Sequence, residues 1–541
     1  MSELLSNHLL TVLIFLPTAG AVLLLLFPAS KPAAAKWFAF GIAAVVFLLS
    51  IPLWTRFQVG TADFQFIERA SWIPSIGITY TLGIDGIALL LILLTTLLTP
   101  VALLFSVSHV EKSVRGFSMA FLVLETGMIG TLAALDLALF YVFWEVMLVP
   151  MYFIIGIWGG ARRIYAAMKF FLFTMAGSFL MFLAILYLAV NHRDVTGAWS
   201  FLLADLTRLA LPPSTQAVLF FAFALAFAIK VPVFPLHTWL PDAHTEAPTA
   251  GSILLAGVLL KLGVYGYLRF ALPLFPDAAT RYAPWLGALG VIGVIYGAMV
   301  AYAQKDMKRL VAYSSVSHLG LVVVGIGAFT ATALSGAVLQ MINHGLSTGA
   351  LFLLVGVLYE RRHTREIAAY GGIAGVVPVT TALFLLATLS SIGLPGLNGF
   401  VGEFLILVGT WTSPHRWWAV LAATGVILSA IYMLTLVQRV FWNPLTHEEN
   451  RRLPDIRASE FLAAAVLVAL MIWIGVRPND VLSRINPSVA ALRDQVSTKL
   501  AQRGRVGEWV SGRGGERQAR IHLPLAPSPP PPLRFSSGAG K

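Results

Sequence analysis

About fourteen apolar runs of roughly 20 residues recur along the 541 residues of the chain, and a run of about that length crosses a hydrocarbon core about 30 Å thick when it folds as a helix. They lie near 8–27, 33–54, 84–107, 117–133, 135–157, 165–190, 215–234, 250–271, 283–303, 310–329, 331–358, 376–411 (interrupted), 417–442 and 459–476. Strands of a membrane barrel alternate apolar and polar residues over about ten positions, whereas these runs are continuously apolar. The expected fold is an all-α integral membrane protein of about 14 transmembrane helices. A charged content of only 11%, against about a quarter in soluble domains, agrees.

The first run follows "MSELLSNH", which has no basic segment, and no small-residue cleavage site stands out after it. It is read as a retained first span, not a removable signal peptide. The net charge of +12 does not point to nucleic acid, because Lys and Arg sit mainly in short loops between spans, where they report topology. Loops after odd-numbered spans ("KPAAAK", "HVEKSVR", "GARRIY", "AQKDMKR", "YERRHTRE", "HEENRRLPDIR") hold roughly twice as many as loops after even ones. Both termini are therefore predicted outside. The chain has no cysteine, so it cannot hold an iron–sulfur cluster through thiolates or attach haem c covalently. It also lacks a GxGxxG segment opening a helix after a strand and a GxxxxGKS/T loop, which leaves no nucleotide-binding candidate.

Residues 55–82 alternate in short patches with Gly and Pro, the pattern of an extramembrane loop or hairpin. The end of the chain, "RGRVGEWVSGRGGERQARIHLPLAPSPPPPLRFSSGAGK", is rich in Arg, Gly and Pro and is expected to be disordered or extended. Between these limits the unusual residues repeat. Glu145 and His318 stand 173 residues apart, as do Lys230 and Glu403. That offset spans five helices, and an odd number per copy turns the second copy upside down, the inverted-repeat plan of many transporters. Each copy also breaks a helix. Pro232 and Pro235 remove donors, which is expected to free the carbonyls of Ala228 and Val231, and "SIGLPGLNGF" puts Gly393, Pro395, Gly396 and Gly399 inside a span. Irregular backbone at membrane depth is tolerated only inside protein or beside water, so both breaks point to a hydrated interior.

Six titratable side chains within the expected spans are singled out: Glu145, Lys230, Lys261, His318, His344 and Glu403. A charge at the centre of a membrane helix costs from about 2.5 to over 10 kcal/mol, which makes each a functional candidate. Plainer roles compete. Glu145 and Lys230 would also serve as a buried pair for assembly, the lysines would snorkel if they lay near an interface, and the histidines would tether helices. Paired haem ligation by the histidines finds no support in their spacing. His237 and His244 flank Asp242 but have no third ligand at metal-site spacing, so a polar, water-lined break is favoured there over a metal site. Opposite charges about 7 Å apart at an effective dielectric constant of about 20 interact by about 2.4 kcal/mol. Moving one proton against about 200 mV takes about 4.6 kcal/mol, so one pair does not suffice and a chain of coupled sites is expected.

At these residues the chain resembles the antiporter-like proton-translocating subunits of respiratory complex I. "FWEVMLVPMY", "IKVPVFPLHTWLPDAHTEAPTAGSILLAGVLLKLG", "QKDMKRLVAYSSVSHLG", "NHGLSTGALFLLVG" and "LPGLNGFVGEF" follow the family pattern in order, from Glu145 to Glu403. Glutamate at 403 matches the M-type branch, where the L and N types usually carry lysine. The resemblance implies fourteen helices with two inverted five-helix repeats, at 117–271 and 283–442, and broken seventh and twelfth helices. Residues 1–116 would supply the first three helices and the extramembrane loop, 443–485 a last helix, and 486–541 a tail beyond the family pattern. Glu145 and Lys230 would interact in one half-channel, Lys261 would be the central relay, His318 and His344 the onward link, and Glu403 the terminal proton-transfer residue. The implied function is proton pumping in a bacterial inner membrane, driven by NADH oxidation and quinone reduction elsewhere. NADH, FMN, iron–sulfur clusters and quinone would sit in partner subunits of the L, N, K, J, A and H types, with no redox cofactor or metal in this chain. The rivals are a cation/proton antiporter or membrane-hydrogenase subunit, and a structural spacer of a membrane arm.

Overall fold

Four apolar helices are almost wholly screened from the outside, and they form the interior of the bundle: Gly86–Val107, Thr249–Leu274, Met307–Ala328 and Ala331–Arg362. The computed structural model describes residues 7–28 and 30–511, with side chains to residue 502. In chain order the spans are α1 (Leu9–Leu26), α2 (Pro32–Arg56), α3 (Gly86–Val107), α4 (Val114–Ala133), α5 (Leu137–Trp158), α6 (Arg163–Thr196) and α7 (Pro213–Lys230). A half-helix, α8 (Trp239–Glu246), follows. Then come α9 (Thr249–Leu274), α10 (Pro276–Tyr302), α11 (Met307–Ala328) and α12 (Ala331–Arg362). The run expected at 376–411 is two short helices, α13 (Pro378–Ser391) and α14 (Asn398–Trp411). α15 (Arg416–Trp442) and α16 (Ala458–Val476) complete the spans. Among the described residues thirteen helices are long and apolar enough to cross a membrane, and the α13–α14 pair makes the fourteenth crossing that the sequence predicts.

Small residues let the helices of the second half meet closely. A Cβ on Gly290 of α10 would lie 2.8 Å from the carbonyl oxygen of Gly320 on α11. One on Gly336 of α12 would lie 2.7 Å from the amide nitrogen of Ile406 on α14. Such contacts replace the hydrophobic drive that is missing between helices in lipid. The stretch expected as a loop or hairpin is a hairpin: β1 (Gln65–Ile73) pairs antiparallel with β2 (Ile78–Ile84). Asp136 caps the first turn of α5 and also accepts from Thr79 N at 3.0 Å, which ties the hairpin to the bundle.

The tail departs from expectation. Residues 479–511 form a helix, α17 (Asn479–Ser511), so 486–511 is not the unstructured segment its Arg, Gly and Pro content suggests; 512–541 lies outside the described residues. Its cause is a stripe of Val481, Ile485, Val489, Leu492 and Val496, all buried at helical spacing. Ser488 accepts from Gly86 N at 3.0 Å, and Lys499 donates to the carbonyls of Thr207 and Pro273 at 2.5 and 2.8 Å.

Across the bundle a buried ion pair fastens α12 to α16. Arg361 donates to both oxygens of Glu460 at 3.2 and 2.6 Å and to the carbonyls of Val357, Pro454 and Asp455. His109 Nε2 stands 3.3 Å from the same carboxylate. Arg361→Ala leaves a fully buried carboxylate short of its main partner, a loss of about 3–5 kcal/mol. The expected result is a lower thermal midpoint of the purified complex, largely restored when Glu460→Leu is added to Arg361→Leu.

Candidate functional site

The first break begins where α7 ends at Lys230. Neither Pro232 nor Pro235 can donate a backbone hydrogen, so the helical ladder stops, and the chain turns before α8 starts at Trp239. The carbonyl of Ala228, expected to be free, accepts from Val233 N at 2.8 Å, a wider turn that reaches past the proline. The indole of Trp239 donates to Ile229 O at 2.9 Å. Lys230 is buried, its ammonium 4.9 Å from the ring centre of Trp144 and 6.0 Å from that of Phe170. Aromatic faces attract a desolvated ammonium without forming a salt bridge to it.

Glu145 follows Trp144 on α5 and accepts a short hydrogen bond from Ser178 on α6. It is partly exposed on the flank of the bundle, unlike the other five. Its charge acts on Lys230, yet among the described residues the two form no direct ion pair. The aromatic ring beside Lys230 is that of Trp144, the sequence neighbour of Glu145.

From Lys261 onward the candidates touch. Lys261 is fully buried in α9, which departs from α-helical winding at Leu255–Leu259 and again at Tyr267–Ala271, both π-turns. A π-turn leaves carbonyls out of the regular ladder, and Ala256 O accepts from the Lys261 Nζ. The same nitrogen is 2.7 Å from His344 Nδ1 on α12. The His344 ring is 5.9 Å from that of His318 on α11, and His318 Nδ1 is 3.3 Å from Glu403 Oε1 on α14. Tyr432 and Ser391 hydroxyls approach His318 Nε2 at 3.4 and 3.3 Å. Four of the six predicted residues thus form a line from the centre of the first half to the break of the second.

That second break is shaped around the carboxylate. α13 ends at Ser391, and Gly393 and Gly396 take φ of 74° and 92°, on either side of Leu394 and Pro395. A Cβ on Gly393 would lie 2.6 Å from Glu403 Oε2, so this position needs glycine for space as well as for its left-handed backbone. Gln340 donates to Glu403 Oε1 at 3.3 Å, Asn343 to Asn398 O at 2.7 Å, and Ser390 to Asn398 Oδ1 at 2.6 Å.

Further groups lie beside the site. Asp242 is held by Lys169 at 2.7 Å, and among the described residues no cluster suits a metal. His244 is fully buried and stacked on Phe352 at 4.6 Å, and among the described residues neither ring nitrogen has a hydrogen-bond partner. The charges of Lys308 and Lys261 both reach it. Lys308 is buried at the start of α11 and donates to Ala247 O. It borders a cleft of about 450 Å³ whose lining includes His109, Glu246, Arg365 and Glu360. The sequence signal for His244 is present, but it reads only as part of a polar, water-lined break and not as a proton carrier. Lys308 hides among the basic residues of a loop. Glu125, within the run expected at 117–133, meets the criterion that selects the six and is not among them.

The family described as NADH:quinone oxidoreductase/Mrp antiporter, transmembrane, matches residues 134–431. NADH-quinone oxidoreductase subunit M of Rhodobacter capsulatus is 47% identical over 517 residues, covering 94% of this chain and 100% of that relative. Coverage of 94% carries the likeness past Asn486, where the resemblance read from the motifs alone would end it. Among solved structures, a chain of respiratory complex I from Thermus thermophilus with bound NADH superposes with a TM-score of 0.81 at 35% identity, covering 90% of this chain and 99% of that one. A chain of the Mrp complex from Dietzia sp. DQ12-45-1b has the same fold, with a TM-score of 0.79 at 21% identity, covering 91% and 98%.

Proposed function

The chain belongs to the NADH:quinone oxidoreductase/Mrp antiporter membrane family, in its subunit M branch, and from that premise we propose the route by which it moves protons. It is a multi-pass membrane-arm subunit of a proton-translocating NADH-quinone oxidoreductase of a bacterial plasma membrane, working among the other subunits of that complex. Its neighbours in our reading are subunits of the L, N, K, J, A and H types, which with the peripheral arm hold quinone, NADH, FMN and iron–sulfur clusters. This chain supplies no redox centre.

Protons enter at the cleft beside Lys308, pass His244 and reach Lys261. The lysine hands a proton to His344 Nδ1, the imidazole releases one from Nε2 toward His318, and His318 passes one from Nδ1 to Glu403. Each step needs only a donor and an acceptor within hydrogen-bond reach or one water apart. Glu145 and Lys230 form the gate: a rearrangement that brings Glu145 nearer strengthens the lysine's hold on its proton, and its withdrawal releases it. The contact between Lys261 and His344, extended through His318 to Glu403, is the observation that carries this reading.

The ion is tested in inverted membrane vesicles fed NADH. Acidification of the lumen is expected at the same initial rate with and without sodium. A rate that vanishes without sodium would make the chain a sodium/proton exchanger.

A further inference from the structure

Glu125 stands near the middle of α4, fully buried, and neither carboxyl oxygen has a hydrogen-bond partner among the described residues. Beside it lies the hydroxyl of Thr99 on α3. That hydroxyl also donates to Thr95 O at 2.9 Å, so it is not committed to Glu125. A carboxylate without a committed donor is costly in a buried site, whereas a carboxylic acid carries a hydrogen of its own to give. Glu125 is thus a buried carboxyl that no group among the described residues is committed to.

Lys261 has the complementary lack. Its partners are Ala256 O and His344, and among the described residues no carboxylate lies within ion-pair distance of it. The two groups stand at similar depth. α4 and α9 both start at the cleft, which is lined by Glu111 and Lys112 on one side and Ala247 to Ala250 on the other. They meet again where Tyr265 OH donates to Leu132 O at 2.8 Å. Lys261 lies four residues before Tyr265 and Glu125 seven before Leu132, so at about 1.5 Å per residue their backbones differ in depth by about one helical turn. Glu125 shares the face of Leu132, two turns on, and α3, which carries the buried Thr95 and Thr99, touches both helices.

We propose that Glu125 is a seventh protonatable site of the path, the acid that answers Lys261. The interior alternates between a neutral carboxyl with a neutral amine and a carboxylate with an ammonium. One proton leaves the carboxyl and one is bound at the amine, so no net charge enters the oil. This rests on the translocation reading above.

The test uses the assembled enzyme in inverted vesicles. Glu125→Gln keeps the shape and a hydrogen for Thr99 but cannot ionise. It is expected to lose more than about half of the NADH-driven acidification, with Glu125→Asp restoring most of it. Infrared difference spectra taken with and without NADH are expected to contain a protonated carboxyl band that changes on turnover, shifts in Glu125→Asp and is lost in Glu125→Gln. Normal acidification by Glu125→Gln, or a band unaffected by both substitutions, overturns the proposal. Lys261→Ala runs alongside: if it too pumps normally, the translocation reading itself has failed, whereas if it alone fails, only the role of Glu125 falls. Should Glu125→Gln not assemble, the turnover-dependent band and its shift in Glu125→Asp decide.

Discussion

An assembled enzyme carrying Lys261→Ala is expected to lose about a hundredfold in NADH-driven acidification, the lower end of what a positioned proton carrier contributes. Lys261→Arg is expected to do no better. Arginine keeps the charge and nearly the reach of lysine, but its guanidinium does not release a proton in a protein. The site needs release: the Lys261 Nζ lies 2.7 Å from His344 Nδ1, the next carrier in the line. A permanently charged group there would also keep the full penalty of a buried cation, about 2.5 kcal/mol or more. Near-normal acidification by Lys261→Arg would mean that the position needs only a positive charge. Assembly is checked by co-purification of the remaining subunits, which separates lost transport from lost structure.

Glu403→Gln carries the second large effect. The amide fills the same space and can keep Gln340 as a partner, yet it presents no charge to His318 Nδ1 and cannot receive its proton. Acidification is expected to fall by about a hundredfold. Glu403→Asp, one methylene shorter, should recover part of it, because the carboxylate survives but its 3.3 Å contact with His318 lengthens. Gly393→Ala acts on the same carboxylate from the other side. Its Cβ needs the space of Glu403 Oε2 and its backbone φ of 74° suits glycine, so the variant is expected to resemble Glu403→Asp in vesicles. If Glu403→Gln pumps normally, the line ends at His318.

Hydropathy made the spans, both helix breaks and the depth of the six residues legible, because each depends on a local run or on a proline or glycine within it. Direction around the helix was less legible. Glu145 and Lys230 both lie at membrane depth, but Lys230 lies over the ring of Trp144 and Glu145 faces the flank toward Ser178. Whether that flank is covered depends on neighbours in the complex, which one chain's sequence does not describe. The π-turns of α9 have no local signature that separates them from the rest of the helix. The first of them accompanies tertiary packing: Gly257 lies against the Leu98 side chain and Gly345 against the Gly257 carbonyl, both too close to admit a Cβ. The stripe from Val481 to Val496 was readable, and the Arg, Gly and Pro content of the following residues masked it.

The path stands or falls on whether water joins what side chains alone do not. A cryo-electron microscopy map of the assembled enzyme in lipid, sharp enough to place ordered water, addresses this directly. Water is expected between Lys230 and Lys261, and between the cleft at Lys308 and His244. A dry, apolar-filled gap at both places, in resting and turning-over enzyme alike, would contradict the account.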